Sequence, residues 1–177
     1  MRVGIMLGDD SSRNNINART DLKKFFLIDK FAMDLLKKIP KNGEIEIKII
    51  RKDNIRNLHT MVNGEKYDFI IALYCKSMSS INLTPRIIYY KNSLKSKKIA
   101  TTLAKNLARV SSFTNVSVEA RENSAPEGYP LSRIEYPCII AEPFPSEENL
   151  QLSINSYKEL LNGYIKGIQD IREKNLV

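Results

Sequence analysis

Short runs of apolar residues alternate along the chain with longer segments in which apolar residues recur with a helical period. Strands are predicted for the short runs at residues 2–7, 44–50, 67–75, 86–90, 115–118 and 137–141. In the second of these, charged residues and isoleucine alternate, which is typical of a half-buried strand at a sheet edge. Helices are predicted for residues 21–39, 54–62, from Ser93 onward, and from about 146 to 171.

Local signals set the predicted ends of these elements. Asp21 can cap the first helix and Pro40 ends it. Residues 123–130, which contain proline and glycine, are predicted to form a loop. In the helix after Ser93 the lysines are predicted to face water, and the residues predicted to face the core are Leu94, Ile99, Ala100, Leu103, Ala104, Leu107 and Ala108.

The alternation of strands and helices predicts a three-layer α/β/α domain with a mostly parallel central sheet. A chain of 177 residues with 42% hydrophobic residues suits one substantial core, so residues 1–177 are predicted to form a single domain. The sequence contains no glycine-rich phosphate-binding motif, and nothing in it favours a nucleotide-binding protein.

The net charge of +8 is unevenly distributed. Residues 85–118 contain seven basic residues and no acidic residue, whereas residues 119–148 contain seven glutamates and two arginines. A basic face of this kind could attract nucleic acid, an anionic wall polymer or an acidic protein, or it could be an ordinary solvated helix face. Nucleic acid is the least expected partner, because no aromatic residues alternate with the helix lysines. The candidate binding face comprises Lys91, Lys95, Lys98, Lys105 and Arg109.

The sequence contains neither the long apolar run of a membrane-spanning helix nor the pattern of a secretory signal. No run of about 18 apolar residues is present, so no membrane-spanning helix and no membrane partner are predicted. Residues 1–8 form too short an apolar run for a secretory signal, and we expect synthesis in the cytoplasm.

The cysteines and the single histidine do not predict a site by themselves. Cys75 and Cys138 each lie within a predicted strand, which indicates small core residues rather than a disulfide, a metal site or a nucleophile. His59 lies in a short polar helix, where an exposed or capping role is expected rather than metal binding.

Residues 67–77, Tyr-Asp-Phe-Ile-Ile-Ala-Leu-Tyr-Cys-Lys-Ser, resemble a strand of the zinc-dependent N-acetylmuramoyl-L-alanine amidases. In that family the strand, of the type Asp-Leu-Phe-Ile-Ser-Leu-His, delivers a histidine to the metal. Residues 86–93 resemble the family's strand that precedes a serine-opened helix, and residues 137–144 resemble its last strand, which ends in the catalytic glutamate. The resemblance covers nearly the whole chain, extends to phage endolysins of this type, and implies an amidase-like fold.

The resemblance also assigns positions in the active site. It places Glu142 at the catalytic glutamate. Asp9 stands where the family has its first metal-binding histidine, Lys24 at the ligand glutamate, and Tyr74 at the second histidine. A small shift of the alignment would make Lys23 or Asp21 the counterpart instead of Lys24.

Amide hydrolysis in this family requires a Lewis acid, which activates water, and a carboxylate that moves protons. Zinc binds imidazole, thiolate and carboxylate groups, whereas the matched positions offer a carboxylate, an ammonium and a phenol. No metal and no other cofactor is therefore expected. We predict instead that Lys24 bridges Asp9 and Glu142, with the Tyr74 hydroxyl beside them, because buried carboxylates need such a partner. If Asp21 pointed into the site instead of Lys24, its carboxylate could bind a metal ion, and the prediction of no metal would no longer follow.

Two functions follow from the resemblance. The first is a catalytically inactive amidase-fold protein that binds a peptidoglycan fragment or another protein, in a phage particle, a lysis system or at the cell wall. The alternative is an active amidase with an atypical zinc site drawn from Asp9, Asp10, Glu142 and His59. In either case the binding groove is expected above the carboxyl ends of the strands, between residues 8–17, residues 77–85 and the segment after Glu142.

Overall fold

The computed structural model describes residues 1–8, 18–40, 43–52, 58–75, 84–110, 115–144 and 150–177, without the side chains of residues 8, 18–25, 52, 58, 61, 75 and 150–155. The described strands are β1 (Arg2–Gly8), β2 (Glu46–Lys52), β3 (Phe69–Cys75), β4 (Arg86–Tyr90), β5 (Ser117–Arg121) and β6 (Cys138–Phe144). The described helices are α1 (Ala18–Lys38), α2 (Leu58–Val62), α3 (Leu94–Val110), α4 (Gly128–Ser132) and α5 (Leu150–Glu173).

The six described strands form one sheet in the order β2-β1-β3-β6-β4-β5. β2, β1, β3 and β6 run parallel to one another. β4 runs antiparallel to β6 and pairs in parallel with β5 on its outer side. The prediction of a mostly parallel sheet is therefore confirmed, and β2 lies at an edge of the sheet, as its alternating charges indicated.

Each face of the sheet carries its own apolar cluster. On one face α1, α3 and α5 pack over the strands, and the ring of Phe31 meets those of Phe144 and Tyr164 edge-on, each at 5.2 Å between centroids. On the other face the short helices α2 and α4 contribute Val62 and Leu131 to a smaller cluster. The predicted three layers, α/β/α, are thus present.

One helix was not predicted. Residues 123–130 were expected to form a loop, but α4 begins at Gly128 and carries Pro130 in its first turn. Proline is tolerated in a first turn because its missing N–H would have no partner within the helix there. Gly128 has room for this path only without a side chain, since an added Cβ would lie 1.8 Å from the carbonyl oxygen of Glu122.

Two details of the longer helices also differ from the prediction. α1 begins at Ala18, so Asp21 lies inside the first turn rather than at the predicted start of the helix. In α3 the buried stripe includes Ile99, Leu103 and Leu107 as predicted, but Leu94 is 74% exposed. Leu94 precedes Ile99 by five positions, a spacing that turns it away from the stripe. Ala108 is likewise exposed.

Candidate functional site

The carboxyl ends of β1, β3 and β6 lie at the same edge of the sheet because these strands are parallel neighbours. β4 runs in the opposite direction, so its first residue, Arg86, lies at this edge as well. The antiparallel register sets Arg86 opposite Glu142, and residues paired in this way project their side chains to one face. The pair Ile88–Ile140 on that face belongs to the cluster beneath α2 and α4.

Arg86 and Glu142 form a two-point ion pair. Nε of Arg86 donates to Oε2 of Glu142 and Nη2 donates to Oε1, both at 2.7 Å. The two side chains are 19% and 10% exposed, so the pair is largely shielded from water. These hydrogen bonds from the guanidinium to Glu142 raise the pKa of Arg86 above its ordinary value. A parallel two-point contact of this kind is among the strongest ion-pair geometries in proteins.

Further charged side chains on β5 and before α4 extend the pair. Nη1 of Arg86 lies 3.6 Å from Oε2 of Glu119, and Arg121 donates to the same oxygen. Nε of Arg121 lies 3.9 Å from Oε2 of Glu127. We call Arg86, Arg121, Glu119, Glu127 and Glu142 the carboxyl-edge cluster; it begins with Arg86 and Glu142 at that edge and extends across the sheet to Arg121, which pairs with Tyr90 at the far end of β4. Its two guanidinium groups face three carboxylates, so its charges nearly cancel.

Tyr74 lies beside this cluster, next to Glu142. The pairing of β3 with β6 is irregular just before the strands end, where Tyr74 alone stands opposite Glu142 and Pro143. This is the arrangement of a β-bulge, and Pro143, which has no N–H to donate, suits an interruption of the ladder. Tyr74 is buried in the apolar cluster that also contains Met6 and Ile140. The structure thus brings together Tyr74 and Glu142, two of the positions predicted from the sequence.

The other predicted positions of the site lie outside the described part of the chain, namely Asp9 and Asp10 and the side chains of Asp21, Lys23 and Lys24. The predicted bridge from Lys24 to Asp9 and Glu142 therefore stays a prediction. The structure shows that Glu142 pairs with Arg86, which was not predicted. Both carboxylate oxygens of Glu142 accept hydrogen bonds from the Arg86 guanidinium.

Arg86 is the residue that sequence reasoning missed. Its strand was predicted with the observed bounds, but the direction of the strand was not. In an antiparallel strand the first residue lies at the carboxyl edge of its neighbours, whereas in a parallel strand it would lie at the far edge. The available signal was an arginine at the first position of an otherwise apolar strand, and its meaning depended on knowing which strand β4 pairs with and in which direction.

Solved structures that share this architecture include an amidase and the catalytic domain of an endolysin. An N-acetylmuramoyl-L-alanine amidase from Clostridium difficile superposes with a TM-score of 0.70 at 14% identity, covering 96% of each chain. The catalytic domain of the CD27L endolysin, targeting Clostridia difficile, gives a TM-score of 0.69 at 14% identity, covering 96% of this chain and 97% of that one. This protein has the fold of the N-acetylmuramoyl-L-alanine amidases.

A third neighbour with the amidase fold was solved with a partner. The CwlD amidase from Clostridioides difficile, in complex with the GerS lipoprotein, gives a TM-score of 0.68 at 15% identity, covering 97% of this chain and 98% of that one. The chain matches no protein-family profile and no curated protein. At such low identities the likeness establishes the fold, so the chemistry must be argued from this chain's own residues.

The histidine and cysteines add little chemistry to the amidase fold. His59 is half-buried in α2 rather than exposed, and its buried Nδ1 atom has no hydrogen-bond partner among the described residues. Cys138 is buried, as predicted, and burial raises the pKa of its thiol, which disfavours the reactive thiolate. Within the described ranges, no three His, Cys, Asp or Glu side chains lie close enough to hold one metal ion.

The predicted basic face divides into two parts. Lys95, Lys98, Lys105 and Arg109 are exposed on α3, and none of them forms an ion pair within the residues that the structure describes. Lys91 precedes the helix, and its ammonium group forms an ion pair with the carboxylate of Glu122. None of the described helices is long and apolar enough to cross a membrane.

Proposed function

We propose that this amidase-fold protein binds peptidoglycan fragments without hydrolysing the bond between muramic acid and L-alanine. The observation that carries the proposal is the buried two-point ion pair between Arg86 and Glu142. A glutamate that moves protons in amide hydrolysis must reach the attacking water and the leaving amine. Both carboxylate oxygens of Glu142 are hydrogen-bonded to the Arg86 guanidinium. Breaking these bonds would leave the Arg86 charge without its closest partner.

The residues at the matched positions also do not fit a zinc site. Zinc requires several imidazole, thiolate or carboxylate ligands, with one position open for water in a catalytic site. The position of the second histidine is held by the phenol of Tyr74, which is buried beside the carboxyl-edge cluster. An ammonium group on Lys24 and a guanidinium on Arg86 would both repel a cation placed there. We therefore derive no catalytic step through a metal.

Support for a peptidoglycan ligand comes from the fold. The three neighbouring structures described above are all amidases or an endolysin catalytic domain, and the carboxyl edge of the parallel strands is where α/β folds bind ligands. The complex of the CwlD amidase with a lipoprotein makes a protein partner the second candidate, because it shows an amidase fold in a protein–protein complex.

Incubation with purified sacculi, with and without added zinc, tests both halves of the proposal. We expect the protein to sediment with the sacculi and to release no stem peptides detectable by mass spectrometry, while an active endolysin catalytic domain releases them. Zinc content of the purified protein should be far below one equivalent. Release of stem peptides with one bound zinc would contradict the proposal, and failure to sediment would contradict the binding half.

Glu142→Gln provides the matched variant for this experiment. In the proposed non-hydrolytic protein the substitution leaves stem-peptide release at zero and weakens only the folded state, because Gln retains the shape but loses the charge paired with Arg86. In an active enzyme the same substitution would abolish release while sedimentation persisted. The wild-type and variant release assays therefore separate the two functions.

A further inference from the structure

We propose that the outer face of α3 is a docking surface for a linear, phosphate-bearing polymer of the cell wall. The surface consists of Lys95, Lys98, Lys105 and Arg109, which we call the α3 basic stripe. The identity of the polymer rests on the proposed link to the wall, but the stripe lies on a helix that contributes nothing to the carboxyl-edge cluster. Polymer binding can therefore be measured independently of any binding at that cluster.

The four side chains lie on one line along the helix. Successive members are three, seven and four residues apart, the spacings that bring side chains onto one face of an α-helix. At about 1.5 Å of rise per residue, the stripe is about 21 Å long. All four residues are exposed, while the opposite side of α3 is buried through Ile99, Leu103 and Leu107 among others.

No acidic group within the described residues pairs with the stripe. α3 contains no aspartate or glutamate, and the nearest helix, α5, offers Asp170 at its border. The Asp170 carboxylate accepts hydrogen bonds from Asn106 at 3.0 Å and from Lys174 at 2.7 Å, and it interacts with Arg109 only through longer-range attraction. The positive potential of the stripe is thus directed into solvent.

The stripe also works against the stability of its own helix. The positive end of the helix dipole lies at the N-terminus, where acidic residues are favourable, yet the first turn of α3 has none and contains Lys95 and Lys97, with Lys98 directly after it. The pairs Lys95–Lys98 and Lys105–Arg109 place like charges at spacings where they repel. A bound polyanion would remove both penalties, which is the physical link between this arrangement and an anionic partner.

The chemistry of the face favours phosphate groups on a flexible chain without bases. Lysine binds phosphate as a point charge, and three of the four groups are lysines. The other exposed residues of α3, Leu94, Lys97, Thr101 and Ala108, provide no aromatic ring on which a nucleobase could stack. The apolar side of α3 is already buried in the core, so the helix has no apolar face to insert into a lipid surface.

The test is a titration with poly(glycerol phosphate) over a series of salt concentrations. If the four groups each neutralise one phosphate, the logarithm of affinity should fall with the logarithm of salt with a slope of about −3, the value expected for a single-stranded polyanion. Changing Lys95, Lys98, Lys105 and Arg109 together to Gln should weaken binding at least tenfold and flatten the slope. The matched control changes four exposed lysines elsewhere to Gln, namely Lys37, Lys38, Lys66 and Lys158.

Comparison polymers make the result decisive. An oligothymidylate with the same number of phosphates, or vesicles containing anionic lipid, should bind more weakly than poly(glycerol phosphate). Tighter binding of either one would overturn the assignment to a wall polymer. Equal loss of affinity in the stripe variant and the control variant would show that net charge alone is responsible. That result would contradict the proposal that α3 carries a specific docking surface.

Thermal stability supplies a second readout that a fold defect would not imitate. Without polymer, Lys95→Gln with Lys98→Gln should raise the melting temperature by a few degrees, because it removes two mutually repelling positive charges from the N-terminal end of α3. Lys37→Gln with Lys38→Gln, at the end of α1 where lysines are favourable, should lower it. Added polymer should stabilise wild type more than the first variant, which keeps only Lys105 and Arg109 of the stripe. If sacculi binding fails while these results hold, only the function proposed for the carboxyl edge is refuted.

Discussion

Two charged regions of this amidase-fold protein are built on opposite principles. In the carboxyl-edge cluster the Arg86–Glu142 pair is largely shielded, and each guanidinium group is paired with carboxylates of the same chain. The α3 basic stripe is exposed, and its four charges have no partner among the described residues. Charges that are paired within the chain leave little for a ligand and damage the fold when one partner is removed, whereas unmatched exposed charges cost stability and attract a partner. The comparison predicts where substitution damages the fold and where it damages binding.

The largest effect is expected from breaking the ion pair between Arg86 and Glu142. Glu142→Leu alone, or Arg86→Met alone, should lower the free energy of unfolding by about 3–5 kcal/mol, because each leaves a largely buried charge without its closest partner. The combination of both substitutions should cost much less than either alone, since no unpaired charge remains at that contact. Urea unfolding of the four proteins measures the coupling, and additive costs would show that the pair does not act as a unit.

A smaller loss is expected from crowding the contact that holds the α3 stripe in place. An added Cβ at Gly163 of α5 would lie 2.8 Å from Cδ2 of Leu107, 2.9 Å from Cγ2 of Val110 and 3.1 Å from the Leu107 Cα. Gly163→Ala should therefore cost about 1–3 kcal/mol in unfolding free energy, although alanine is the better helix former. Gly64→Ala is the control, because a Cβ there meets no atom within 4 Å. Equal stability of the two variants would contradict the tight packing.

The contribution of the contact between α3 and α5 to the free energy of unfolding should depend on pH. Hydrogen bonds from Lys174 and then from Asn106, with the charge of Arg109, hold the pKa of Asp170 below its ordinary value of 3.8. A lowered folded pKa stabilises the protein above that ordinary value, and the contribution disappears as the pH falls through the folded pKa. Asp170→Asn should thus cost at most about 1 kcal/mol near neutral pH, after allowing for solvent screening, and nothing in strong acid. Unfolding measurements across this pH range check it, and a cost that does not change with pH would contradict the assignment.

How far the sequence could predict these regions depended on the range of the interactions. The layers, the edge position of β2 and the burial of Cys138 follow from local apolar patterns, and all were predicted. The basic stripe was predicted as well, because a helical period places its residues on one face without reference to any other element. The exposure of Leu94 was missed because the first turn of a helix has few neighbours to define its inner side.

The carboxyl-edge cluster could be predicted only in part, because it depends on pairing between distant strands. Tyr74 and Glu142 were brought together by the resemblance to amidases, and the register of β3 and β6 places them side by side. Arg86 joins them only because β4 runs antiparallel to β6, a fact that the apolar run 86–90 does not contain. Glu119 and Arg121 follow in turn from the pairing of β4 with β5. Strand direction was the missing information.

The smallest effect is expected at Lys91, which the sequence grouped with the basic stripe and the structure separates from it. Lys91 lies before α3 and pairs with Glu122, and both side chains are more than half exposed. Exposed pairs of this kind contribute little to stability, so Lys91→Gln should leave the urea midpoint unchanged. Because its charge is already matched by Glu122, it should also leave the affinity for poly(glycerol phosphate) unchanged, whereas Lys98→Gln should weaken it. A loss at Lys91 as large as that at Lys98 would extend the docking surface beyond α3 and remove the distinction between matched and unmatched charges.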